Sequence, residues 1–282
     1  MKSFNPYDIH IRERHQYITG AVGPRPICWA STVNEKGESN LAPYSFFNAF
    51  GSNPPILVFS SNRRGRDNST KDTLHNIKET MEVVINVVPH RLVNQMNISS
   101  TDYPSTTNEF EKAGVTGIDS ITVKPKRVKE SPVQFECKVK EIISLGDVGG
   151  AGNLFICEVS HMHIDEAILD AEGMIDPQKI DLVGRMGKEF YVRASGDAVF
   201  EINNPFEKMN IGFDGLPKRI TQSKVLTGNQ IAQLAMEISL PDPEECKSCK
   251  SSLDIKSGNI ERHAQLLISK GKVREALCLL LA

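Results

Sequence analysis

The residues best suited to chemistry form one short cationic, hydroxyl-rich stretch: Arg63, Arg64, Arg66, Ser69, Thr70, Lys71 and Asp72. Side chains of this kind bind anions. The stretch runs into a helical pattern in which Leu74, Ile77, Lys78 and Met81 share a face, three of the four apolar. Ser69 and Asp72 have the spacing of a capping box, which predicts Ser69 as the N-cap of that helix. A helix start carries unpaired N–H groups and a partial positive charge, so it attracts phosphate. Taken alone, the stretch reads as a capped surface helix with solvated basic neighbours.

The segments in front of it change that balance. Residues 27–33 form an apolar run with the length and content of a buried strand. Asn34, Glu35, Lys36 and Gly37 supply turn chemistry. A loop of small and aromatic residues follows at 40–47, then a second core strand at 56–60. Together these pieces offer a phosphate cradle, a flat apolar wall and backbone groups for the edge of a heterocycle.

Here the chain resembles the flavin reductase-like group of FMN-binding split barrels, which includes flavoredoxin. The resemblance is carried by Arg25-Pro26-Ile27 with Trp29-Ala30-Ser31-Thr32, by Asn40-Leu41-Ala42-Pro43-Tyr44-Ser45-Phe46-Phe47-Asn48, and by Asn53-Pro54-Pro55. It continues in order through Lys71-Asp72-Thr73-Leu74-His75-Asn76-Ile77, Val83-Val84-Ile85-Asn86-Val87, Phe110-Glu111-Lys112-Ala113-Gly114, and Gly184-Arg185-Met186-Gly187 with Tyr191. These pieces span roughly the first 200 residues, and their order is more specific than any one of them.

The resemblance implies a mainly β fold, a six-stranded, closed Greek-key barrel with peripheral helices, and a homodimer with FMN near the subunit contact. It implies FMN phosphate contacts at Ser60, Arg63, Lys71 and Thr73, with Asp72 beside them. The flavin ring would lie along Ser31 and Thr32 and along Ala42, Pro43, Tyr44 and Ser45, with Trp29 and Phe47 also expected to bind the cofactor. Arg185 becomes an anion or carbonyl partner. The implied activity is FMN-dependent oxidoreduction, with NADH or NADPH as a visiting electron donor. An electron carrier fed by a protein partner is the first alternative. A non-catalytic scaffold acting through its C-terminal helices is the second. No acid–base side chain is required, so no catalytic residue is nominated.

The chain of 282 residues has 39% apolar residues and a formal net charge of −2. That balance argues against nucleic acid as a partner, which calls for clustered excess cation. No apolar run approaches the length of a membrane span, and the polar N-terminus lacks a signal core. Cytoplasmic residence without membrane attachment is the expectation. Among the six cysteines, Cys28, Cys137 and Cys157 sit in apolar strand-like runs and read as packed small hydrophobes. Cys246 and Cys249 form one Cys-x-x-Cys, with only His263 and Cys278 downstream as further ligands, so no metal is assigned.

Other strands are expected at 82–88, 118–128, 135–145 and 154–164, a short helix at 90–96, and a surface loop at 99–108. The glycine-rich 146–153 joins two strands and departs from the dinucleotide fingerprint, so it reads as a flexible hairpin loop. His161 and His163 alternate on one strand and share a face, and they are given no role.

Residues 1–205 are assigned to the flavin-binding barrel and 206–282 to a largely helical extension. Residues 265–277 resemble half of a tetratricopeptide-type hairpin. One such unit cannot bury its own apolar face. Docking is therefore expected on the barrel, on a second subunit or on another protein, with the homodimer preferred.

Overall fold

The structure is a computed structural model that describes residues 1–202, 209–252 and 260–282. The chain divides into two compact units, Met1–Phe200 and Glu201–Ala282. The boundary expected after Pro205 lies outside the described residues.

The first α-helix of the first unit is α1 (Ile11–Ala21). β1 (Cys28–Val33), β2 (Ser39–Tyr44), β3 (Phe47–Ser52) and β4 (Pro55–Ser60) follow. The stretch expected as an aromatic loop is therefore two strands and a tight connection. Then come α2 (Asp72–Thr80), β5 (Glu82–Val87), α3 (Val93–Ile98) and α4 (Glu109–Ala113). Next are the short β6 (Gly117–Ile118) and β7 (Arg127–Val128), and the long β8 (Val133–Ser144) and β9 (Asn153–Ile164). The unit closes with α5 (Pro177–Ile180), β10 (Leu182–Arg185) and β11 (Tyr191–Ala194).

Seven strands form one antiparallel sheet in the order β2-β1-β5-β8-β9-β4-β3. That count replaces the six expected. β2 and β3 are its two edges, yet only Ser45 and Phe46 separate them in sequence. A flat sheet of this size would hold its edges about 29 Å apart, at about 4.8 Å per strand. Three residue steps reach at most about 11 Å. The sheet must therefore roll until its edges approach, leaving a barrel split between β2 and β3.

Alternation along β1 serves both faces of this curled sheet. Cys28 and Ala30 join one cluster with Phe59, Phe155, Leu74 and Ile77. Trp29 and Ile27 join another with Leu41, Met96 and Phe110. With both faces covered, all six residues of β1 are buried, which is why the run looked continuously apolar. Cys28, Cys137 and Cys157 pack in the first cluster, and burial raises all three thiols.

Residues 118–128 do not form the single strand expected. The Glu136 carboxylate, wholly buried, takes the N–H groups of Ile121 at 2.8 Å and Thr122 at 2.5 Å, so a side chain replaces a strand partner. His163 Nε2 lies 2.7 Å from the same carboxylate. Burial alone would raise Glu136, but these hydrogen bonds and the Thr122 hydroxyl bring it down to about 2.

The second unit is helical: α6 (Gly212–Gly215), α7 (Lys218–Thr221), α8 (Gly228–Ala235), α9 (Pro243–Ser252), α10 (Ile260–Ser269) and α11 (Val273–Leu281). A capping box does occur here, between Thr227 and Gln230. The apolar stripe of α10 and α11, represented by Ala264, Ile268, Ala276 and Leu277, packs against Leu216, Ile220, Ile231 and Leu234. The C-terminal hairpin thus finds its cover inside its own unit, which corrects the expectation that the cover must come from elsewhere. Among the described residues, no group of His, Cys, Asp and Glu is arranged to hold a metal, and no helix is long and apolar enough to cross a membrane.

Candidate functional site

A cavity of about 450 Å³ opens in the first unit. That size falls in the range of roughly 300–1,000 Å³ usual for small-molecule sites. The β2–β3 connection supplies Pro43, Tyr44, Ser45 and Phe46, the end of β4 supplies Ser60, and Lys71 stands just before α2. α1 contributes His15, Gln16 and Thr19, and the β10–β11 turn contributes Arg185, Lys188 and Glu189. A recess of about 30 Å³ shares Lys71 and Ser100 with this cavity and reaches Ala42, Asp72, Thr73, Arg64 and Asp102.

Arg25 builds one wall. It is 7% exposed, and its guanidinium donates to the carbonyls of Thr19 and Val22 at 2.5 Å and to that of Met186 at 3.0 Å. These bonds cap the C-terminal turn of α1 and tie it to the β10–β11 turn. Burial, and then Arg185, lower the Arg25 pKa. The same junction explains Gly187: a Cβ there would stand 2.8 Å from the Gly20 Cα. Two glycines let the helix and the turn meet backbone to backbone. Arg185 is engaged within its own hairpin, donating to the Tyr191 hydroxyl at 2.5 Å and to the Lys188 carbonyl at 2.7 Å.

The cationic end differs from the sequence expectation. α2 begins at Asp72 with Lys71 in the cap position, and no side chain caps it. The anticipated capping box is absent because Ser69 turns to Asp67, whose carboxylate accepts from both its N–H and its hydroxyl. The first-turn N–H groups of α2 therefore lack a side-chain acceptor. The Lys71 ammonium lies 5.2 Å from the Tyr44 ring centroid, and no carboxylate among the described residues pairs with it. Burial, followed by Arg64, lowers the Lys71 pKa. Arg63 Nε is buried with no hydrogen-bond partner. The unpaired ammonium and the uncapped helix start together fit a phosphate.

The glycine-rich loop between β8 and β9 is not the loose hairpin anticipated. Arg63 N donates to Ala151 O at 2.8 Å, and Gly150 N returns to Arg63 O at 3.0 Å. A Cβ at Gly152 would meet the Ser60 Oγ at 2.7 Å. This loop braces the cationic segment.

Of the residues singled out from the sequence, Pro43, Tyr44, Ser45, Ser60, Lys71 and Arg185 line the main cavity, and Ala42, Asp72 and Thr73 line the recess. Five lie apart. Trp29 is wholly buried and donates to the Ser99 hydroxyl at 2.8 Å. Ser31 donates to the Lys126 carbonyl at 2.5 Å, and Thr32 accepts from Asn76 at 3.1 Å. Phe47 packs on the barrel core, and Arg63 lines neither the cavity nor the recess. The side chains of Trp29, Ser31 and Thr32 are saturated within the protein and present nothing to a ligand.

Tyr44 donates to Thr73 Oγ1 at 2.8 Å, and Thr73 donates to Asn40 Oδ1 at 2.8 Å. Burial pushes the Tyr44 phenol up to about 12, so it stays protonated and orders the wall. The α1 residues were missed because α1 buries only Thr19 and so carries no apolar stripe. Arg25 was visible within a matched motif, but its role depends on a turn 161 residues away.

A family model described as the flavin reductase like domain matches residues 22–179. An uncharacterized protein of Aquifex aeolicus (strain VF5) is 36% identical over 188 residues, covering 67% of this chain and 93% of that protein. Nitrilotriacetate monooxygenase component B from Bacillus cereus superposes with a TM-score of 0.66 at 29% identity, over 72% of this chain and 98% of that one. A candidate flavin reductase with a split barrel domain from Shewanella frigidimarina NCIMB 400 gives a TM-score of 0.60 at 26% identity, over 70% and 95%. These relatives are matched almost end to end, yet about a third of this chain has no counterpart in them.

Proposed function

Because the chain belongs to the flavin reductase like domain family, we propose that its first unit binds FMN in the cavity beside α2 and serves as a flavin-dependent oxidoreductase. Electrons pass from NADH, NADPH or a protein donor to an acceptor. The observation that carries this reading is the half-buried Lys71 ammonium, without a carboxylate partner, beside an uncapped helix start.

Lys71, the first N–H groups of α2 and Ser60 hold the phosphate in this reading. Pro43, Tyr44, Ser45 and Phe46 form the wall for the ring, and the backbone there meets its polar edge. Arg25 keeps α1 and the β10–β11 turn in place, which limits water on that side. When bound, the flavin supplies the hydride and electron chemistry. With its phenol near 12, Tyr44 orients and does not exchange a proton.

The proposal includes a homodimer. β3 is a sheet edge, and Phe50 on it is 69% exposed, which suits pairing with a second copy. Sedimentation of the purified protein checks this directly.

The test of function has two stages. Titration with FMN should quench flavin fluorescence to a one-to-one endpoint, and absence of binding sinks the reading. Anaerobic addition of NADH or NADPH to the complex should then bleach the flavin band. A complex that binds FMN but resists both nicotinamides leaves the electron carrier as the function.

A further inference from the structure

The recess beyond Lys71 holds a charge arrangement that the phosphate site does not need. Arg64 and Arg66 each place a guanidinium nitrogen on the Asp102 carboxylate, one on each oxygen. Arg64 also donates to Thr70 O at 2.6 Å and to Ser69 Oγ at 3.1 Å, so its position is fixed from both sides. Asp102 belongs to the loop after α3, 38 residues beyond Arg64 in the chain. Its carboxylate is held below the usual range by Arg66 first, with Arg64 adding to the effect.

The cations of this region thus fall into two classes. Lys71 faces the cavity without a carboxylate. Arg64 and Arg66 face an anion that the chain itself supplies. The main cavity and the recess adjoin at Lys71 and Ser100. A group extending from a phosphate at Lys71 into the recess would meet Arg64, Asp102 and Tyr103. The recess measures about 30 Å³, room for one water and nothing larger.

We propose that Asp102 is a specificity-determining residue that selects a flavin mononucleotide over a flavin dinucleotide. This rests on the proposed flavin site. The first phosphate meets an unpaired cation. A second phosphate, with its adenosine, meets Arg64 and Arg66 already bound to Asp102, Arg66 carrying Asp67 as well, and a recess with room for one water. Asp102 acts as a built-in anion at the position a diphosphate would require. Its ion pairs stand partly in solvent, with side-chain exposures of 22% for Arg64, 65% for Arg66 and 38% for Asp102, so removing the carboxylate frees Arg64 within reach of water, while Arg66 keeps Asp67 at 3.2 Å.

The experiment compares FMN and FAD binding to the full chain by fluorescence titration, in wild type, D102A and D102N. Wild type should favour FMN by at least tenfold. D102A should narrow that preference by about tenfold or more through tighter FAD binding, with FMN affinity changed by less than threefold. D102N keeps the shape and removes the charge, so it should fall between the two and serves where D102A fails to fold. Raising the salt concentration should erode the FAD gain in both variants, because it comes from exposed arginines. Equal affinity for the two flavins in wild type overturns the inference. So does a parallel change in both flavins in the variants. Failure of wild type to bind either flavin strikes the site itself, a different result from an unchanged preference.

Discussion

Replacing Lys71 by Met separates the phosphate site from the fold more sharply than other substitutions. Met keeps much of the length lying over the Tyr44 ring and removes only the charge. The ammonium is 5.2 Å from that ring centroid and has no carboxylate partner among the described residues, so its charge contributes little to the unliganded fold. Burial and Arg64 lower its pKa. A lysine with a lowered folded pKa binds fewer protons than the unfolded chain between the two values, so stability rises with pH through that window. Lys71→Met should abolish that rise and leave the unliganded melting temperature unchanged or slightly higher. FMN should lose a charge-assisted contact of about 1.5–3 kcal/mol, roughly ten- to a hundredfold in affinity. Riboflavin carries no phosphate and should lose little. Parallel fluorescence titrations of both ligands at fixed salt, with thermal melts of the unliganded protein, provide the assay. Equal losses for FMN and riboflavin, or a marked fall in the unliganded melting temperature, would refute the reasoning.

Gly152→Ala places a Cβ 2.7 Å from the Ser60 hydroxyl, so FMN should weaken severalfold while the far-ultraviolet spectrum of the barrel stays the same. Unchanged FMN affinity would remove Ser60 from the phosphate site. Glu136→Gln should cost about 1.5–3 kcal/mol at neutral pH, the usual loss for hydrogen bonds to a charged acceptor. The folded Glu136 value of about 2 lies below the unfolded one, so its stabilisation is complete above about pH 4.5 and disappears as pH falls toward 2. Acid melts of the variant should therefore be flatter than those of wild type over that range, and identical acid profiles would count against the assignment. Under native conditions a bulky thiol reagent should leave Cys28, Cys137 and Cys157 untouched, as mass spectrometry of the labelled peptides would show; prompt labelling of any of them would contradict their burial.

Much of the barrel was legible because its strands obey local rules. Residues 56–60 and 154–164 are apolar or alternating runs between turn residues, and both emerged within a residue of the expected bounds. The failures have physical causes. In residues 40–47, Pro43 and the small Ala42 and Ser45 interrupt the strand propensity of the aromatic residues; pairing with β1 makes Ser39–Tyr44 a strand regardless. Ser69 satisfied the local requirements of an N-cap, but Asp67 lies two residues away and captures its hydroxyl at 2.6 Å. Trp29, Ser31 and Thr32 sit in a matched motif, yet their side chains close bonds inside the protein. A motif locates a segment without saying which way each side chain points. Arg25 and Asp102 act through partners 161 and 38 residues away, and no window of sequence contains both ends of such a contact.

The position of the anion site follows from strand pairing. β4 pairs with β9 so that Ser60 stands opposite Leu154. The segment leaving β4 and the loop entering β9 must therefore emerge side by side at the same end of the barrel. Ser61 and Asn153 exchange backbone hydrogen bonds at 3.1 Å in both directions, which extends the pairing past the strand ends. Beyond them the two segments run in contact, and a Cβ at Gly149 would lie 3.1 Å from the Gly65 Cα. Small residues in 146–152 allow this approach, and the approach holds the arginine-bearing segment against α2. The cationic stretch supplies the charges. The glycine loop, which carries no charged group except Asp147, fixes where those charges stand.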